Sequence, residues 1–171
     1  ALPPFVRHDG TMHEDNPALH PAPVRKPEGN AIRQLSVFLQ NRVGSLMALT
    51  KLLHDNNIEI LGISMQDTTE MTLVRLILSD PESAGMLFIE RGIPYAECRI
   101  VVLELNESRQ RLTDCLSCLL AAELNIEFCY SLLVRPNQFP LLAIHCDDIE
   151  IAADVLGRTG FRVLCQGDLS R

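Results

Sequence analysis

Leu35-Ser36-Val37-Phe38-Leu39-Gln40-Asn41-Arg42-Val43-Gly44-Ser45-Leu46 changes its hydrophobic period at its centre. Leu35, Val37 and Leu39 recur at every second position, as on a strand with one buried face, whereas Leu46, Leu49, Leu52 and Leu53 recur at helical spacing. The residues between, Asn41 to Gly44, therefore form a strand-to-helix turn with glycine just before the first helical turn. Such a turn leaves several backbone N–H groups unpaired and pointing outward, which is a place to hold a carboxylate.

Outward from this turn the same pattern occurs twice. Ile32 to Gln40 reads as a strand, Ser45 to Asn56 as an amphipathic helix, and Ile58 to Gln66 and Met71 to Leu78 as two more strands. Asp80-Pro81 marks a helix start, since Asp caps exposed amides and Pro fits the first helical position. That helix buries Ala84, Leu87 and Phe88, Gly92 ends it, and Tyr95 to Arg99 is a strand running into Ile100 to Leu105. The second copy has a strand at 100–105, a helix from Arg109 to Glu123 and a strand from Asn125 to Val134. A hairpin turn at Arg135-Pro136-Asn137 leads to a strand from Phe139 to His145, a helix capped by Asp147, and a last strand from Phe161 to Cys165. Asn57-Ile58-Glu59-Ile60 is echoed by Asn125-Ile126-Glu127-Phe128. Each copy is βαββαβ, so the expected fold is α+β: two ferredoxin-like units in tandem, each an antiparallel sheet with its helices on one face. Units this small bury modest cores and should pack together. The expected boundaries are 1–30 for a disordered Pro-rich tail, 31–99 for domain one and 100–171 for domain two.

Composition excludes several classes. A net charge of −7 argues against nucleic acid, which needs clustered Lys and Arg. No apolar run approaches the roughly 18 residues that span a membrane, and the first thirty residues lack the apolar core of a signal peptide, so a cytoplasmic protein without membrane contact is expected. Cys98, Cys129, Cys146 and Cys165 fall in or beside strands and read as buried thiols. Cys115 and Cys118 have the spacing of half a zinc site, but they lie in the apolar helical pattern Leu112, Leu116, Leu119, Leu120 with no second ligand pair. No metal or cofactor is expected. The tail holds His8, His13 and His20 at spacings that fit neither helix nor strand, so solvated side chains are expected.

The stretch from Leu35 to Leu46, followed by Asn57 to Ile60, resembles the ACT domain, a small-molecule-sensing module attached to many enzymes of amino-acid metabolism. The resemblance extends over about residues 32–167 and implies the same ferredoxin-like fold. In that family the turn commonly reads Asp or Asn, Arg, Pro, Gly, x, Leu; this chain keeps Asn41, Arg42, Gly44 and Leu46 and replaces the proline by Val43. The domains often pair side by side, with an amino acid between one first turn and the neighbour's second strand. By resemblance, Asn41 bonds the ligand and the backbone from Val43 through Ser45 to Leu46 closes over it. Family members that sense polar amino acids carry Asn where this chain has Glu59, with Glu127 as its counterpart in repeat two. The second turn, Asn106 to Arg111, lacks glycine, which leaves repeat two as a partner wall, with Arg109 and Arg111 read as solvated.

No Ser/His/Asp or Cys/His grouping is suggested by spacing, and His145 and Cys146, adjacent on a strand, should face opposite sides. A non-catalytic regulator is expected, binding a small amino acid and signalling to a biosynthetic enzyme subunit, with homodimer formation through open sheet edges. The first strand, turn and helix also resemble the small regulatory subunit of acetolactate synthase, which gives the alternative of a subunit acting mainly through protein contact.

Overall fold

The structure, a computed structural model, describes residues 31–68, 70–106 and 111–169; the expectations for the tail, for Arg109 and for the second turn at 107–110 lie outside them. The first repeat forms β1 (Ile32–Gln40), α1 (Ser45–Asp55), β2 (Ile60–Asp67), β3 (Met71–Leu78) and α2 (Pro81–Glu90). β4 (Tyr95–Glu104) follows, then α3 (Arg111–Ala121), β5 (Ile126–Ser131), β6 (Leu141–Cys146), α4 (Ile149–Arg158), β7 (Val163–Leu164) and α5 (Gln166–Leu169). The strands lie in the order β2-β3-β1-β4-β6-β5, with β7 also on β4, and every pairing is antiparallel.

The two sheets share β4. Its residues 95–100 pair with β1, and its residues 101–104 pair with β6. The expected boundary at 99/100 thus falls inside one continuous strand. Alternation along β4 keeps a constant sense: Tyr95, Val101 and Leu103 point into the helix-covered cores, while Cys98, Ile100 and Val102 point the other way. In domain one Leu35, Val37, Val74 and Leu76 pack under Leu49, Leu53, Leu87 and Phe88. Domain two repeats this with Val101, Leu103 and Ile144 under Cys115, Leu119, Ala152 and Leu156.

The faces left bare by the helices meet each other. Ile32, Leu61 and Ile77 of domain one form a third core with Val102, Leu132, Leu141 and Ala143 of domain two. The free margins of the two sheets also touch, through a bridge between Gly62 and Leu132 and a hydrogen bond from the Leu133 amide to the Leu61 carbonyl (2.8 Å). A Cβ at Gly62 would sit 3.1 Å from Leu132 Cγ and 3.3 Å from Ile77 Cδ1, so any larger residue would press on both side chains. The domains therefore pack face to face inside the chain rather than side by side.

Several boundaries differ from the sequence expectation for physical reasons. Asn57 and Glu123 both adopt φ 57°, each closing a helix and delaying the next strand to Ile60 and Ile126. Asp148, not Asp147, caps α4, accepting from the Ile151 amide at 2.9 Å, while Asp147 accepts from the Asn125 amide at 3.1 Å. The last strand is only two residues long, because Asp168 Oδ2 accepts the Cys165 amide (2.9 Å) and turns the chain into α5. Leu169 then enters the interdomain core. Cys129, expected buried, is exposed on the edge strand β5.

Candidate ligand-binding turn

The turn that follows β1 is built as its sequence implies. Arg42 N–H bonds the Gln40 carbonyl (2.9 Å), Ser45 N–H the Arg42 carbonyl (3.2 Å), and Ala48 N–H the Gly44 carbonyl (2.9 Å). Gly44, at φ 87°, is left-handed and stands at the N-cap of α1, where no side chain supplies a capping bond. Among the described residues no acceptor meets the amides of Leu46 and Met47, so two donors and the positive end of the α1 dipole are available to an anion. Val43 is fully exposed, and Met47 and Met65 are exposed nearby in sequence and on the adjoining edge strand.

Asn41 Nδ2 donates to Asp67 Oδ1 at 3.1 Å, and Thr72 Oγ1 donates to the same oxygen at 3.4 Å. This contact directs the Asn41 amide nitrogen to Asp67 and leaves its carbonyl oxygen as the acceptor for an ammonium group. Asp67 brings a carboxylate to the turn that sequence reasoning missed. Its only sequence signal is a polar residue closing the second strand, 26 positions from Asn41.

The two glutamates do not join this turn. β2 runs from Ile60 to Asp67, so Glu59 lies at the opposite end of the strand, roughly 25 Å away at about 3.3 Å per residue. Glu127 Oε2 lies 3.1 Å from His145 Nδ1; that imidazole stacks on Phe128 (4.9 Å, 7°), and the Arg75 guanidinium covers Phe128 at 4.1 Å. Nor is Glu127 the counterpart of Glu59. The positive-φ residues Asn57 and Glu123, the bulges at 60–62 and 126–128, and the helices at 45–55 and 111–121 all set a spacing of 66 residues. On that spacing Asn125 matches Glu59, and the bonds agree: Ser79 N–H bonds the Glu59 carbonyl (3.0 Å) as Asp147 N–H bonds the Asn125 carbonyl (3.3 Å). The echoed Asn-Ile-Glu letters, 68 residues apart from Asn57 to Asn125, are therefore out of structural register by two positions.

The remaining reactive groups are engaged in packing. Cys146 lies in the helix-side core with its thiol toward the Asp148 carbonyl (3.4 Å), while His145 stacks on Phe128. Burial pushes the Cys115 thiol up to about 11 and raises those of Cys98 and Cys146, so the three favour the protonated form at neutral pH. Arg111 lies over the Phe161 ring at 5.3 Å. Among the described residues there is no group of three or more His, Cys, Asp or Glu able to hold a metal, and no helix is long and apolar enough to cross a membrane.

Comparison with known proteins bears on this architecture. A family model described as an ACT domain pair matches residues 30–171. Protein BT0572 from Bacteroides thetaiotaomicron superposes with a TM-score of 0.76 at 24% identity, covering 84% of this chain and 98% of its own. The ligand-free regulatory subunit of aspartate kinase from Thermus thermophilus gives a TM-score of 0.54 at 11% identity, covering 76% and 93%, and the regulatory subunit from Thermus flavus gives 0.50 at 12%, covering 75% and 92%. No curated protein matches the chain in sequence.

Proposed function

Because the chain belongs to the ACT domain pair family, we propose that it is a non-catalytic regulator that binds a small amino acid at the Asn41–Leu46 turn and signals to a partner enzyme of amino-acid metabolism. The observation that supports this most directly is the uncapped start of α1. Free amides at Leu46 and Met47 suit an α-carboxylate, and the Asn41 carbonyl with the Asp67 carboxylate suits an α-ammonium. The aspartate kinase regulatory subunits that share the fold are themselves subunits regulating an enzyme.

Calorimetric titration of the purified chain with each of the twenty amino acids tests the reading. One of them should bind saturably, and Asn41→Ala and Gly44→Val, both at exposed turn positions, should weaken it tenfold or more while the variants stay folded. Undiminished binding in both would remove the turn from the site.

The assembly we infer is a homodimer through domain two. Leu112, Leu116 and Leu120 stand one turn apart along α3 and are 46%, 39% and 77% exposed, where the matching positions of α1 hold Leu46, Thr50 and His54. An exposed leucine stripe on one helix face suits pairing with its own copy about a two-fold axis. Sedimentation velocity should show a dimer at micromolar concentration, and Leu116→Glu combined with Leu120→Glu should raise the dissociation constant tenfold or more. A monomeric parent chain would contradict it. The same stripe favours a second reading, a regulatory subunit that docks on a large acetolactate-synthase-type subunit; copurification of such a subunit with the chain, lost in that double variant, would select it.

A further inference from the structure

We propose that the cleft where the two domains meet at the start of β2 is a second ligand site, taking a zwitterionic α-amino acid between Glu59 and Arg135. It does not rest on the Asn41–Leu46 turn, which lies at the other end of β2. The cleft has a volume of about 470 Å³, within the range of small-molecule sites. Domain one supplies Glu59 and Ser79 to its wall, and domain two supplies Val134, Arg135 and Pro136. Leu61 and Leu169, 2% and 3% exposed, give it an apolar floor continuous with the interdomain core.

The backbone around both charges is fixed. Glu59 N–H bonds Ser79 Oγ at 2.9 Å and Ser79 N–H returns to the Glu59 carbonyl at 3.0 Å. Arg135 opens a tight turn closed by the Gln138 amide on its carbonyl (3.0 Å), with Gln138 at φ 67°. Yet the two side chains are unused: among the described residues the Glu59 carboxylate and the Arg135 guanidinium each lack a hydrogen-bond or ion-pair partner, although they line one cleft and carry opposite charge. A cleft around Arg99, Glu127, His145 and Glu150 differs in this respect, because Arg99 is paired with Glu150 and His145 with Glu127.

An unpaired cation and an unpaired anion above an apolar floor match the three parts of an α-amino acid. The guanidinium offers two parallel N–H donors to the α-carboxylate, the glutamate accepts from the α-ammonium, and an apolar side chain rests on Leu61 and Leu169. Glu59 and Arg135 come from different domains, so a ligand joined to both favours the arrangement in which they converge. That differential affinity is what coupling requires.

The test uses the full chain and the twenty L-amino acids as probes, with calorimetry on the parent, Glu59→Gln, Arg135→Gln and Gly44→Val. These polar groups are surface-accessible, so circular dichroism should show the same fold throughout. The expected result is one amino acid whose affinity falls tenfold or more in both Glu59→Gln and Arg135→Gln, with its amide and its N-acetyl derivative each binding at least tenfold more weakly. Binding that persists in Glu59→Gln and Arg135→Gln but is lost in Gly44→Val overturns this site and leaves the turn reading intact. No binding to the parent chain overturns both.

Discussion

Phe88→Ala is expected to destabilise the protein by about 3–5 kcal/mol and to lower the unfolding midpoint of both domains together. Phe88 is fully buried in the domain-one core, against the Tyr95 ring at 5.6 Å and 62°. Removing the ring loses its transfer energy and leaves a cavity beside Leu35, Val74 and Leu76, side chains fixed on strands paired on both sides that collapse poorly. The loss spreads because β4 belongs to both sheets and because Ile32, Leu61 and Ile77 pack on Val102, Leu132 and Ala143. A domain two left alone would expose that apolar face to water. The chain offers two reporters: its two tyrosines are Tyr95, against Phe88, and Tyr130, at the domain junction. With 3-fluorotyrosine incorporated, both fluorine resonances should lose their native positions at one denaturant concentration, lower in the variant. A Tyr130 signal that stays native after Tyr95 has unfolded would show that the domains are independent.

What the sequence disclosed follows from the range of the interactions involved. β1, the Asn41–Gly44 turn, α1, β3 and α2 were legible because period, glycine and the Asp80-Pro81 cap act within a few residues. The start of β2 was misjudged because Ile58 is buried like a strand residue while the preceding Asn57 turns left-handed, a conformation its neighbours in sequence do not announce. The face-to-face packing was hidden because alternation along β4 is the same whether Cys98, Ile100 and Val102 meet a partner sheet inside the chain or one outside it. The site divides similarly. The amide cradle is local and was read; Asp67 at its rim, and Arg135 opposite Glu59, are brought in by strand pairing over long separations and were not. Letter similarity placed Glu127 against Glu59, whereas the shared bulges and positive-φ positions place Asn125 there.

Removing either member of the pair formed by buried Gln34 and half-buried Tyr130 should cost about 1–3 kcal/mol, and removing both should cost less than the sum. Gln34 lies on β1 facing the second domain and is fully buried; its Oε1 accepts from Tyr130 Oη at 2.7 Å, and its Nε2 donates to Ser36 Oγ at 3.2 Å and to Cys98 Sγ at 3.3 Å. Burial pushes the Tyr130 phenol well above its usual range, so it remains a neutral donor. Gln34→Leu strands the phenol proton in an apolar junction, and Tyr130→Phe strands the amide oxygen. Each single change thus carries the desolvation penalty of the group left behind, which the double variant avoids by making that part of the junction apolar. Urea unfolding of the parent, both singles and the double closes the cycle, and strictly additive costs would show that the two groups do not depend on each other. Apolar contacts between Ile32, Leu61, Val102 and Leu132 tolerate sliding, whereas a hydrogen bond from Tyr130 to a fixed glutamine does not. The cost of leaving it unmade in any other alignment adds to the shared strand β4, the interdomain core and the Leu133–Leu61 hydrogen bond in holding one domain on the other.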